Sequence, residues 1–249
     1  MLRSYLLEMK CELLRLVRLP AYAVPTLAAP VLLYVFFGIV FGGHVGHAQL
    51  ATYLLATYGA FGVIGVSLFG FGVGVAVERG QGWLLVKRAS PMPRGSFILA
   101  KLVAAAAFGL TISLALLALG VAFGGVRIDV VQALALVAIL LAGVVPFCAI
   151  GLAIGMLGRP NSAPAIVNVL YLPMGFLSGL WIPIAILPST IQHIALVLPG
   201  FHLGELALDV LGIGDGAWVQ HVSVLVAYSI LGCAAAALAF RRDEQRLYG

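Results

Sequence analysis

The chain has 249 residues, of which 63% are hydrophobic and only 9% are charged, and its mean hydropathy is +1.13. Soluble globular domains carry about 25% charged residues, so this composition excludes an ordinary soluble protein. Nearly all of the length lies in apolar runs that can cross a bilayer, which leaves no room for a soluble enzymatic domain. The formal net charge of +5 does not indicate a nucleic-acid partner, because charge in a membrane protein must first be sorted by side.

The apolar runs predict six transmembrane helices, because each run is continuous and about 20 residues or longer. They cover residues 21–41, 50–77, 102–123, 130–157, 165–187 and 218–240. A transmembrane β-barrel would instead require strands of alternating hydrophobicity. The predicted fold class is therefore an all-α membrane protein, with residues 1–249 forming a single transmembrane domain.

The basic residues are distributed very unevenly between the two sides of the predicted bundle. An even number of spans places both termini on one side, and 13 of the 14 basic residues fall on that side. Only Arg127 falls on the other side. By the positive-inside rule, the N- and C-termini are predicted to be cytoplasmic, in a multi-pass protein of the plasma (inner) membrane.

Two segments outside the spans also have helical patterns. Residues 1–20 repeat apolar and charged positions with a helical period, which predicts an amphipathic helix along the inner membrane surface that ends at Pro20. Residues 182–217 are too apolar for an ordinary loop, yet prolines and glycines break them into pieces too short to cross a bilayer. They predict short re-entrant or interfacial helices on the outer face, near 189–198 and 202–211.

The sequence lacks the residues that ion-coupled transport and ATP binding usually require. Ionisable side chains are almost absent from the runs, and His221 lies only three residues into the last one. This argues against a pump that binds protons or sodium at membrane depth. The phosphate-binding pattern G-x-x-x-x-G-K-[ST] does not occur, so energy for uphill transport should come from a soluble partner.

One group of polar residues has the right donors for a metal ion. His202, Glu205 and Asp209 share one helical face and, with His193, offer imidazole and carboxylate ligands. Their spacing matches no tight metal-binding motif, so the polar face of an amphipathic outer helix is the preferred interpretation. No catalytic, metal-binding or cofactor-binding residue is assigned in this chain.

Two stretches resemble the permeases of type-2 ABC exporters. The first runs Glu78-Arg79-Gly80-Gln81-Gly82-Trp83-Leu84-Leu85 through Pro91 to Lys101 and is similar to that family's cytoplasmic coupling loop. The second is residues 172–199, whose prolines and glycines are similar to the family's fifth span and the outer helices that follow. The surface helix, the six spans and these two stretches occur in the family's order over essentially the whole chain.

The resemblance implies a transport subunit rather than an enzyme. Two permease copies, or a copy and a paralogue, would pair above two ABC ATPase subunits, which would bind ATP and Mg²⁺. Within the cytoplasmic coupling loop, 78–101, a short helix near 81–88 would meet the ATPase, together with the surface helix and residues 158–163. The coupling residues implied are Glu78, Arg79, Gly82, Trp83, Leu84, Lys87 and Arg88.

The resemblance also implies that the second and fifth spans line the export path. The candidate path residues are Phe61, Phe69, Phe71, Met174, Phe176 and Leu177. Because they are apolar, they favour a lipophilic drug-like or lipidic substrate, as in multidrug efflux. Two alternatives stay open: an exporter of a lipid-linked cell-envelope polysaccharide, and a membrane assembly protein that transports nothing.

Overall fold

The computed structural model describes residues 2–45, 48–84, 86, 93 and 95–248, and these are mostly helical. The helices are α1 (Leu2–Val17), α2 (Pro20–Leu33), α3 (Leu50–Ser67), α4 (Gly74–Gly80), α5 (Ser96–Ala122), α6 (Val130–Ala142), α7 (Val144–Leu157), α8 (Ala163–Leu177), α9 (Ser189–Ala195), α10 (Pro199–Val210) and α11 (Trp218–Tyr248). Wider π-helical turns at Tyr34–Val40 and Leu68–Val73 extend α2 and join α3 to α4. The two-residue strands β1 (His44–Val45) and β2 (Ala48–Gln49) pair antiparallel between α2 and α3.

Among the described residues, five helical segments are long and apolar enough to cross a membrane. They are Pro20–Val40, Leu50–Gly80, Ser96–Ala122, Val130–Leu157 and Trp218–Arg241. A sixth is present if α9 and α10, which meet at an angle of 90°, are counted as one broken span. The prediction of an all-α membrane protein is confirmed, and five of the predicted spans correspond to these segments.

The predicted fifth span, 165–187, is helical only as far as Leu177. The 15 residues of α8 extend about 22 Å, less than the roughly 30 Å of the hydrocarbon core. The helix stops because Gly179 has a φ of +72°, a conformation that other residues rarely adopt, and the chain reverses there. A side chain at this position would also lie 2.9 Å from Cβ of Ile184.

The short helices expected after the fifth span are present with adjusted bounds. Helix α9 begins at Ser189 and α10 extends to Val210, close to the predicted 189–198 and 202–211. Helix α10 begins three residues earlier than predicted because Pro199 occupies its first turn, where proline's missing N–H is tolerated.

Helix α3 occupies the centre of the bundle. In the most apolar stretch of its span 72% is buried, against 22% in the corresponding stretches of the first and last spans, whose apolar side chains are left to face lipid or a partner. Helices α2, α5, α7 and α10 pack around α3. At the N-terminus, residues 2–17 form helix α1, which packs against α5 and ends three residues before Pro20, and its position along the membrane surface stays a prediction.

The connecting segments gather at two opposite ends of the bundle. At the first, the basic end, α1 packs against α5, and Arg79 at the end of α4 donates a hydrogen bond to the carbonyl of Gly158 after α7. At the second, the distal end, the Tyr53 hydroxyl of α3 donates to the carbonyl of Gly179 over 2.9 Å. Alternate connections lie at opposite ends, as expected when consecutive spans run antiparallel.

Candidate coupling site and substrate path

Four charged residues from three helices meet at the basic end, and we call them the charge cluster: Glu12 and Arg15 of α1, Glu78 of α4 and Lys101 of α5. The Lys101 ammonium nitrogen lies 2.8 Å from Oε1 of Glu12 and 2.8 Å from Oε1 of Glu78. Arg15 contacts the same two carboxylates, at 2.6 Å from Glu12 and 2.5 Å from Glu78. Two cations and two anions therefore alternate, and their formal charges sum to zero.

The charge cluster is largely shielded from solvent. Lys101 is only 3% exposed and the two glutamates are also buried, while Arg15 remains partly exposed. The Lys101 ammonium also lies 5.1 Å from the ring centre of Phe97. Burial alone would raise the pKa of the Glu12 carboxyl, but Lys101 and Arg15 outweigh burial, and that pKa lies below its ordinary value. Glu12 is therefore ionised at neutral pH.

Arg79 and Gly80 connect the end of α4 to the segment that follows α7. The Arg79 guanidinium donates hydrogen bonds to the carbonyls of Met156 and Gly158, the second over 2.6 Å. Met156 is in the last turn of α7 and Gly158 directly follows the helix, where backbone acceptors lack partners within it. Gly80 packs so closely on the ring of Pro160 that a Cβ there would overlap it. Residues 158–163 are thus held directly beside the predicted coupling loop.

The predicted coupling loop is described only at its two ends and at a few positions between them. Gly82 has a φ of +76°, which turns the chain away from α4, and Val86 N–H bonds to the Gly82 carbonyl over 3.3 Å. The Trp83 side chain is 53% exposed and Leu84 is partly buried. Lys87 and Arg88, two of the predicted coupling residues, lie outside the described residues.

The six predicted path residues occupy different environments. Phe61, Phe71 and Met174 are buried, Phe69 and Leu177 are partly buried, and Phe176 is exposed.

Three of the path residues have well-defined neighbours. The Phe61 ring stacks on Tyr171 with centroids 4.3 Å apart, and Phe69 meets the same tyrosine edge-on at 5.7 Å. Phe71 lies elsewhere, against Gly151 of α7. A Cβ added to Gly151 would lie 3.0 Å from the Cβ of Phe71. The structure therefore brings Phe61 and Phe69 together around Tyr171. Phe71 instead packs between the π-helical turn of the central span and α7.

Comparison with known proteins identifies the family. Residues 4–211 match the family described as ABC-2 type transporter. The chain belongs to the ABC-2 type transporter family. This permease is also similar to "Putative transport permease YvfS" of Bacillus subtilis (strain 168), with 27% identity over 222 residues that cover 88% of this chain and 90% of that protein. The predicted resemblance is confirmed.

Membership has three direct consequences for this permease. It is a multi-pass membrane protein, it is a permease of an ABC transporter, and the family implies partnership with an ABC ATPase.

Three residues of the charge cluster, Glu12, Arg15 and Lys101, are not among the predicted coupling residues. Glu12 and Arg15 are charged positions of the predicted N-terminal helix, whereas in the permease Arg15 contacts Glu78, a predicted coupling residue, and Glu12 contacts Arg15 and Lys101. Their spacing of three residues puts both charges on one side of α1, which is a signal for a shared partner. Arg15 is 63 positions from Glu78, and Glu12 is 89 positions from Lys101, so neither contact can be found from local spacing.

Proposed function

We propose that this permease is the membrane subunit of an ATP-driven exporter and that the charge cluster transmits movement from the ATPase to the spans. The observation that carries the proposal is the pair of contacts that Lys101 makes with Glu78 and Glu12. Glu78 is the first residue of the predicted coupling loop and Lys101 is the last, so the cluster joins both ends of that loop to α1.

Burial strengthens the ion pairs of the charge cluster. An ion pair in a region of low dielectric is much stronger than one in water, and breaking it leaves an uncompensated buried charge. A displacement of the coupling loop therefore moves α1, the end of α4 and the start of α5 together. The contacts of Arg79 and Gly80 extend the same rigid unit to residues 158–163.

The proposed docking surface for the ATPase consists of the coupling loop, α1 and residues 158–163. Trp83 is the most prominent described side chain on it, since an exposed indole is a favourable anchor at a protein interface. The concentration of basic residues at this end supports placing it, with both termini, in the cytoplasm of a plasma (inner) membrane protein. Lys87 and Arg88 stay in the proposed coupling set on the strength of the family resemblance.

For the substrate, we propose a lipophilic drug-like or lipidic compound that passes between two permease copies. Large apolar side chains remain exposed on the outer helices, as expected if lipid and a second copy cover them. Phe176, which is exposed, and the partly buried Phe69 and Leu177 are the path residues most open to a substrate. Phe61, Phe71 and Met174 support the packing behind them.

The first experiment is purification of the tagged permease from native membranes in mild detergent, followed by mass spectrometry and an ATP hydrolysis assay. We expect an ATPase subunit with a phosphate-binding loop to copurify near 1:1 and to hydrolyse ATP. If no such subunit is recovered, even after crosslinking through the Lys87 amine, the coupling proposal is wrong and an assembly role is favoured instead.

The substrate proposal has a separate test. In the purified complex, lipophilic cations and lipids are screened for stimulation of ATP hydrolysis, with a lipid-linked oligosaccharide as the comparison. Phe176→Ala is expected to raise the concentration of a stimulating compound that gives half-maximal ATP hydrolysis by about tenfold. This corresponds to the loss of one apolar contact of about 1.4 kcal/mol. Phe123→Ala is the matched control, because Phe123 is also exposed but follows the end of α5 and is not a predicted path residue. Stimulation by the oligosaccharide alone would contradict a lipophilic substrate.

A further inference from the structure

A second polar cluster lies at the distal end, far from the predicted coupling loop. It consists of His202 and Glu205 of α10, Asp215 of the following loop and His221 of α11, and we call it the histidine–carboxylate cluster. His202, Glu205 and His221 are buried, whereas Asp215 is about half exposed. One ligand atom from each of Glu205, Asp215 and His221 lies within 4.8 Å of the other two.

Hydrogen bonds connect the two histidines in a chain. His202 Nε2 lies 2.9 Å from the carbonyl oxygen of Leu196, and His202 Nδ1 lies 2.8 Å from Nδ1 of His221. His221 Nε2 in turn lies 2.8 Å from Oδ1 of Asp215. A carbonyl and a carboxylate only accept hydrogen bonds, so each of these three contacts needs one hydrogen.

Two neutral imidazoles supply only two hydrogens for the three contacts. In one arrangement of these hydrogens, the Leu196 carbonyl accepts from His202 Nε2 and His202 Nδ1 accepts from His221 Nδ1. Nε2 of His221 is then a bare lone pair that faces the Asp215 carboxylate. Two electron-rich atoms 2.8 Å apart repel one another unless a cation lies beside them.

The choice of cation is limited to a third proton or a metal ion. A metal ion beside His221 Nε2 would be reached by three donor atoms at once, because one ligand atom from each of Glu205, Asp215 and His221 lies within 4.8 Å of the other two. The convergence of three such atoms, two of them on buried residues, favours the metal ion.

The loop that carries Asp215 is held in place by Asp209. Oδ1 of Asp209 accepts the backbone N–H of Gly216 over 2.8 Å, and Gly214 packs directly on Asp209. Oδ1 of Asp215 also accepts the N–H of Ala217 over 2.9 Å, which orients the carboxylate at the start of α11. The ligand positions are thus fixed before any ion binds, which lowers the entropy lost on binding.

We propose that Glu205, Asp215 and His221 bind a divalent transition-metal ion, with Zn²⁺ as the best match to one imidazole and two carboxylates. Zinc accepts these ligand types at about 2.0–2.2 Å and often keeps a fourth position for water. His202 is a positioning residue: by accepting the Nδ1 hydrogen of His221 it fixes the tautomer that leaves Nε2 free for the metal.

These proposed ligands differ from the candidates in the sequence, which were His193, His202, Glu205 and Asp209. Asp209 supports the loop instead of facing the ion, and the exposed His193 contacts the Ser189 carbonyl within α9. The half-exposed Asp215 gives an ion access from the solvent at the distal end. A bound ion would join α10, the loop and α11, and so fix the last span relative to the short helices before it.

The test is Zn²⁺ binding to the full-length permease in detergent, purified through an affinity tag without histidine and freed of metal with EDTA. Titration against a chromophoric chelator is expected to give one Zn²⁺ per chain and a higher melting temperature with zinc. Asp215→Asn and Glu205→Gln should each weaken binding at least about 100-fold, and His202→Gln about tenfold, as lost ligands and supporting groups do. His193→Gln, which changes an exposed histidine at the same end, should bind as the unmodified permease does.

Two results would overturn the metal site. One is that the unmodified permease binds no Zn²⁺ at micromolar concentrations, which would leave a shared proton as the cation of the cluster. The other is that Asp215→Asn and Glu205→Gln bind Zn²⁺ as tightly as the unmodified permease. Asp215 is half exposed on a loop, so its variant remains informative if Glu205→Gln fails to fold.

Discussion

The Lys101 ammonium lies 2.8 Å from Oε1 of Glu78, although 23 residues separate them in the chain and the whole predicted coupling loop lies between them. The contact closes that loop at its base. A second carboxylate, Glu12, lies 2.8 Å from the same ammonium and adds α1 to the closure. The stability of the basic end therefore depends on a balance of four charges.

Removal of the Lys101 charge tests that balance. Lys101→Met is expected to lower the free energy of unfolding by about 3–5 kcal/mol, because it leaves Glu12 and Glu78 buried beside each other with only Arg15 to compensate. The measurement is unfolding of the detergent-solubilised permease by denaturant. The double variant Glu78→Gln/Lys101→Met removes one charge of each sign and should lose less stability than the single variant. Equal or greater loss in the double variant would contradict the pairing.

Stability at acidic pH follows from the lowered pKa of Glu12. Its pKa in the folded permease lies below the ordinary value of 4.5 that it regains on unfolding. The ionised carboxylate therefore stabilises the fold fully above about pH 5, and this stabilisation is lost as the pH falls through the folded pKa. Melting temperatures recorded from pH 7 downward should fall more steeply for the unmodified permease than for Glu12→Gln. Parallel curves for the two proteins would show that Glu12 makes no such contribution.

The proposed ATPase contact predicts a specific role for Trp83. Because this side chain is exposed, Trp83→Ala should leave the melting temperature nearly unchanged but weaken ATPase binding by about 30-fold, which corresponds to the loss of about 2 kcal/mol typical of an interface tryptophan. The measurement is the amount of ATPase that copurifies at increasing dilution. Trp218→Ala is the control, since Trp218 is also exposed but begins α11 at the distal end. Equal retention of the ATPase by both variants would remove Trp83 from the proposed surface.

Close packing of the central span on α7 predicts a strong effect at Gly155. A Cβ on Gly155 would lie 2.8 Å from the Phe71 carbonyl oxygen and from Cβ of Val75, and backbone cannot easily move aside. Gly155→Ala is expected to reduce the free energy of unfolding by about 1–3 kcal/mol.

Gly70→Ala is the matched control for this steric argument. The nearest atom to a Cβ on Gly70 is the Tyr22 hydroxyl oxygen at 3.4 Å, an ordinary contact. Alanine there should be neutral or stabilise the helical segment by up to about 1 kcal/mol, since alanine has the higher helix propensity. Both variants are compared by denaturant unfolding, and similar losses for both would refute the packing argument.

Hydrophobicity along the chain was sufficient to predict the class of protein and most of its helices. Runs such as 50–77 and 130–157 correspond to continuous helical segments, because about 20 apolar residues satisfy both the thickness of the bilayer and the backbone's need for internal hydrogen bonds. The fifth span shows where this reasoning fails. Its apolar run continues to 187, but the positive φ of Gly179 ends the helix at Leu177, and composition averages conceal such a local reversal.

The sequence by itself thus determined that this chain is a membrane protein, where five of its spans lie, and which family it resembles. Only the tertiary structure decided which charges meet. Glu12 and Lys101 are 89 positions apart, and His202 and His221 are 19 apart on different helices. Helical periodicity specifies which face of its own helix a residue occupies. The packing of one helix against another decides which faces are buried together. Burial in turn makes the loss of one charge from a pair costly to the fold.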